Sequence, residues 1–89
     1  MADSTLTETG EALLQVLREM VEHPEAVEVH EVRRGNKCRL EVSVDAEDMG
    51  AVIGRGGRTA SALRELLDLR AGSFGESYEL KILEPEDRG

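Results

Sequence analysis

Aromatic residues are almost missing from this chain of 89 residues, which holds one Phe, one Tyr and no Trp. Stacking platforms of the RRM or OB kind need several aromatic faces, so that mode of base recognition is not expected. Cysteine is just as scarce. Cys38 alone excludes an internal disulfide, and with His23 and His30 as the only histidines a zinc site has no framework. No Ser/His/Asp or Cys/His set is placed for nucleophilic catalysis, and the acids gather at helix starts and in the tail, where solvation explains them. Neither an enzyme nor a bound metal or cofactor is therefore expected. No apolar run reaches membrane-spanning length and no signal-peptide pattern opens the chain, so a cytoplasmic protein with no membrane partner is expected. Positive charge is also in deficit. Eleven Lys and Arg face nineteen Asp and Glu, a net charge of −8, which argues against a general polyanion binder.

The distribution of charge is more informative than its sum. Residues 32–39 carry Arg33, Arg34, Lys37 and Arg39 with no acid, and residues 49–64 carry Arg55, Arg58 and Arg64, again with none. Most acids lie in the first 31 residues, at 45–48 and in the tail. A basic zone on an acidic body suits a local anion site with non-specific attraction suppressed elsewhere. At this length one domain is expected, with so small a core that pairing with another chain would be unsurprising.

The most distinctive stretch is Ile53-Gly54-Arg55-Gly56-Gly57-Arg58. Three glycines in four positions let the backbone turn sharply and come close to a ligand, because no Cβ intervenes. A helical pattern follows, so the turn presents backbone N–H groups and the positive end of a helix dipole beside two guanidinium groups. Phosphate oxygens fit such a place. A dinucleotide fingerprint fails, since residue 59 is Thr59 rather than glycine and no βα unit precedes. A P-loop fails for want of Gly-Lys-Ser/Thr.

Along the chain, residues 1–9 read as a flexible N-terminus, with Thr5 or Thr9 as candidate helix caps. Leu13, Leu14, Leu17, Met20 and Val21 recur at helical spacing up to His23, where Pro24 stops the helix. Residues 27–33 read as a strand, and Gly35-Asn36 as a two-residue hairpin turn of type II′. Cys38, Leu40, Val42 and Val44 then alternate with polar residues, the clearest strand pattern in the chain. Asp45 is placed to cap a helix over 46–53. After the glycines, Ala60, Leu63, Leu66 and Leu67 give a helix its buried stripe, and Ala71-Gly72 ends it. Tyr78, Leu80 and Ile82 alternate as a last strand, and residues 84–89 form a polar tail.

The order helix, strand, strand, helix, Gly-x-x-Gly, helix, strand resembles the type II KH fold, an α+β arrangement (α-β-β-α-α-β) with a three-stranded sheet covered on one face by three helices. The run from Asp48 through Gly54-Arg55-Gly56-Gly57-Arg58-Thr59-Ala60 to Ala62-Leu63-Arg64 is similar to small stand-alone bacterial KH proteins of the KhpA family, as are His23-Pro24 and Val27-Glu28-Val29. The resemblance covers residues 10–83, taken as a single KH domain. It implies a non-enzymatic RNA chaperone or post-transcriptional regulator, linked to cell elongation and division. It further implies self-association, or pairing with a larger KH-containing partner of the KhpB (Jag/EloR) type. A KH clamp of this kind grips about four nucleotides of single strand by their backbone.

On that resemblance Gly54, Arg55, Gly56 and Gly57 fall on the clamp, Ile53 on the apolar position before it and Arg58 on the basic position after it. Arg64 is expected to extend the positive track. A single strand would cross a groove between the 46–53 helix and the second strand, over Val52 and Ile53. Without aromatics near the loop, binding should be weak, salt-sensitive and tolerant of sequence. The alternative is a protein-interaction domain acting mainly through homodimerisation or heterodimerisation.

Overall fold

Thr7 starts the first helix. In the computed structural model, which describes residues 6–74 and 77–84, its hydroxyl accepts a hydrogen bond from the Gly10 amide at 3.2 Å. The same hydroxyl donates to Glu31 Oε2 at 2.8 Å, and the Thr7 amide donates to that oxygen too. Helix α1 (Glu8–Met20) thus begins where a strand residue holds it. Of the expected caps, Thr5 lies outside the described residues and Thr9 lies inside the helix, buried, with its hydroxyl accepting from Arg70 Nε at 2.7 Å. The helix ends at Met20, three residues before His23. Val21 is extended, and Pro24 opens a single 3₁₀ turn (Pro24–Ala26) rather than terminating a helix directly.

Strands β1 (Glu28–Arg34) and β2 (Lys37–Ser43) form an antiparallel hairpin in which Arg34 faces Lys37 across Gly35-Asn36. Gly35 takes a φ of +60° and Asn36 does not go positive, which fits a type II′ turn. Strand β3 (Ser77–Ile82) runs parallel to β2, so β2 is central and the sheet order is β1-β2-β3. A parallel pair needs a crossover. Helices α2 (Met49–Ile53) and α3 (Arg58–Phe74) supply it, with the glycine turn between them.

The expected helix over 46–53 is split. Residues Ala46–Asp48 form a 3₁₀ turn capped by Asp45, which accepts from the Glu47 amide at 2.9 Å, and α2 starts only at Met49. The break leaves the Asp48 carboxylate pointing inward, 2% exposed, where it accepts from the Glu22 and His23 amides at 3.0 Å each. It was expected as an outward charge at a helix start. Instead it ties the segment after α1 to the start of α2, satisfying two backbone donors of the loop that follows α1.

Alternation sorts the sheet into two faces. Val29, Cys38, Leu40, Val42 and Leu80 lie on the covered face, packed with Leu13 and Leu17 of α1, Val52 of α2, and Leu63 and Leu67 of α3. Fully burying each such Leu or Val contributes about 1.5–3 kcal/mol. One stripe residue does not belong. Leu66 is 62% exposed, because at 100° per residue it sits about 90° around α3 from the line of Ala60, Leu63 and Leu67. Nor does Gly72 stop the helix. It keeps a negative φ, and α3 runs through it to Phe74 along β3. A helical Gly costs only about 1 kcal/mol, which packing against the sheet outweighs.

Candidate nucleic-acid interface

Three positive-φ glycines shape the turn. Gly54 (φ +82°, ψ +166°) ends α2, with its amide donating to the Gly50 carbonyl at 2.8 Å. Gly56 (φ +64°, ψ +19°) and Gly57 (φ +77°) carry the chain into α3. They do different jobs. A Cβ on Gly54 would lie 2.6 Å from the Thr59 amide nitrogen and 2.7 Å from Thr59 Cβ, so this glycine permits the turn to close on the first turn of α3. A Cβ on Gly56 or Gly57 would meet nothing within 4 Å. The space a side chain would fill there is empty, so a ligand can approach, although the Gly57 amide already donates to the Gly54 carbonyl at 3.0 Å.

Arg55 and Arg58 flank this space. Both are exposed, and neither forms an ion pair among the described residues. Two other arginines are occupied: Arg39 pairs with Glu41 at 3.5 Å and Arg70 with Glu8 at 3.4 Å. Arg58 is the first residue of α3, so its charge adds to the positive end of a 17-residue helix. Ile53, half-buried, closes α2 on the other side of the turn. Residues 53–58 thus form one contiguous surface.

Arg64 stands apart. It lies six residues into α3, about 9 Å along the axis, and reaches the Leu80 carbonyl of β3 at 3.5 Å rather than Asp68. With Leu67, Asp68, Tyr78, Glu79 and Leu80 it lines a shallow cleft between α3 and the outer edge of β3. The expected groove beside the second strand needs correcting. β2 has a strand on each edge and its helix-side residues Cys38, Leu40 and Val42 are buried, as is Val52, so neither the helix-side face of β2 nor Val52 is available to a ligand. The sheet edge beside α3 and Arg64 belongs to β3.

One further group of polar residues supports α2 from below. His23 Nε2 lies 2.9 Å from Glu47 Oε1, and this hydrogen bond, with Asp45 and Asp48 nearby, raises the imidazole pKa above its usual 6.5. Neither this contact nor the Asp48 anchor was legible beforehand, since both join residues more than twenty positions apart.

A three-stranded sheet with three helices on one face, and a Gly-x-x-Gly turn joining the second helix to the third, is a KH-like fold. Comparison with known proteins agrees. Residues 10–82 match the family model described as the KhpA/KhpB KH domain. The chain is similar to the RNA-binding protein KhpA of Thermotoga maritima, 42% identical over 72 residues that cover 81% of this chain and 92% of that one. It is similar also to the RNA-binding protein KhpA of Mycobacterium leprae, 41% identical over 85% of this chain and 91% of the relative. The chain belongs to the KhpA/KhpB KH-domain family.

Proposed function

We propose that this protein binds single-stranded RNA by its backbone at the glycine turn. The observation that carries the reading is the empty space beside Gly56 and Gly57 between two exposed arginines that form no ion pair among the described residues, in a chain whose relatives are named as RNA-binding proteins. Phosphates sit against the turn and the start of α3, with Arg55 and Arg58 as counter-charges and Ile53 beneath the first base. The strand then follows α3 toward Arg64 and the edge of β3, whose outward backbone groups can meet base edges. Lacking aromatic platforms, the site holds RNA weakly and with little sequence preference. Such a binder acts in the cytoplasm as an RNA chaperone or post-transcriptional regulator, in line with the roles in cell elongation and division that the resemblance implies.

A second reading is favoured by Leu66 and Leu69, 62% and 71% exposed on α3. It makes the domain chiefly a protein-interaction module, paired with a second copy or with a larger KH-containing chain. One experiment separates the two. A labelled single-stranded RNA is titrated with wild type and with Arg55→Asp/Gly56→Asp at two salt concentrations, with circular dichroism and size exclusion alongside. RNA binding should be salt-dependent in wild type and lost in the folded variant. If wild type and variant bind alike, or the variant changes size while its RNA affinity stays, the turn belongs to a protein interface.

A further inference from the structure

The face of the sheet turned away from the helices carries a charge pattern that the glycine turn does not explain. Its rows follow from strand register: Arg34, Lys37 and Ser77 at the hairpin end, then Val32, Arg39 and Glu79, then His30, Glu41 and Lys81. Positive charge therefore concentrates at one end of the face. Arg34, Lys37 and Arg39 line a depression of about 480 Å³ with Val32, Ser77 and Glu79. Arg34 and Lys37 are exposed and make no ion pair among the described residues, whereas Arg39 is partly neutralised by Glu41. In a protein of net charge −8, two exposed cations set side by side across the hairpin, with no ion pair among the described residues, are suited to an anion.

This depression adjoins the cleft between α3 and β3. Glu79 is common to both, at the edge of β3. A strand leaving the glycine turn can pass Arg64, round that edge beside Glu79, and reach Lys37 and Arg34. The distance is set by α3, whose 17 residues span about 25 Å between the turn and the hairpin end. At a stacked rise of 3.4 Å per nucleotide, that straight distance is about seven nucleotides. The occupant that fits by charge and reach is the continuing RNA backbone.

We propose that the hairpin end of the open sheet face is a second phosphate-binding surface, engaged only by RNA longer than the glycine turn itself holds. It rests on the RNA reading above. Glu79 is then a gate of unfavourable charge on the path between the two sites.

The test uses five- and fifteen-nucleotide oligouridylates with wild type, Arg34→Glu/Lys37→Glu and Glu79→Gln. The milder Arg34→Gln/Lys37→Gln is added in case the reversal disturbs the hairpin. Comparing variants on the same oligonucleotide cancels the larger number of binding registers on the longer one. The fifteen-mer should lose about tenfold in affinity at 0.1 M salt with the hairpin variants, and its salt slope should become shallower by about 1.4, two phosphate contacts on single-stranded RNA. The five-mer should stay within twofold, and Glu79→Gln should tighten the fifteen-mer alone.

Unchanged fifteen-mer affinity in folded hairpin variants overturns the second surface and leaves the glycine-turn reading standing. An equal loss on both lengths overturns it too, as a long-range charge effect. If wild type binds a decaglutamate peptide that the hairpin variants no longer bind, the surface serves an acidic protein and the RNA assignment falls. If wild type binds neither oligonucleotide, the RNA reading itself fails and this surface fails with it.

Discussion

Replacing Gly54 with alanine should damage the protein far more than replacing Gly56. Gly54 lies at φ +82° and ψ +166°, a region open essentially to glycine alone, where a side chain costs about 1–3 kcal/mol. The new Cβ would also lie 2.6 Å from a backbone nitrogen, that of Thr59, which cannot swing aside as a side chain does. The turn must open or α3 must shift, so the upper end of that range, about 3 kcal/mol, is the expected cost. Gly56 takes the left-handed conformation in open space, where alanine costs only about 1–2 kcal/mol. For a domain this size each kcal/mol shifts the melting temperature by about 4–8 °C. Thermal melts followed by circular dichroism should show Gly54→Ala losing about 12 °C or more, and Gly56→Ala roughly half that. Equal losses would refute the reasoning, because only Gly54 is tied by contact as well as by φ.

Asp48→Ala should cost roughly 1–3 kcal/mol in urea unfolding, since two backbone donors lose their partner. Asp48→Asn should cost nearly as much, because its amide NH₂ would face a backbone N–H; a silent Asn variant would show that the carboxylate is not the anchor. The His23–Glu47 contact gives stability a pH dependence of known sign. A pKa raised above 6.5 in the folded state means the contribution is complete below pH 6.5 and disappears as pH rises through the folded value. Wild type should therefore lose more stability than Glu47→Gln between pH 5.5 and 8.5, and matching pH profiles would exclude the contact.

Much of this fold is legible because its signals are local. The strict alternation from Cys38 to Val44, the Gly35-Asn36 turn and the three clustered glycines each act over a few residues. They fix which backbone conformations are accessible before any tertiary contact forms. The alternation of β2 also named the covered face correctly, since a period of two sends Cys38, Leu40 and Val42 one way whatever lies beyond them. The contiguous part of the candidate site, Ile53 to Arg58, was readable for the same reason.

What the tertiary structure alone decided are choices between locally equivalent options. Thr5, Thr7 and Thr9 are all able to cap a helix, and Glu31 on β1 selects Thr7. A helix over 46–53 satisfies local propensity, yet burying the Asp48 carboxylate against the segment after α1 splits it. Leu66 and Leu67 are equally apolar, and the placement of α3 on the sheet covers one and exposes the other. Arg64 could join the glycine turn or pair along its helix, and the nearby Leu80 carbonyl draws it to the β3 edge. In each case the deciding partner lies sixteen or more positions away or on another element. Sequence by itself sets conformational preference, and only the closed chain supplies the long-range partner that chooses among the preferences.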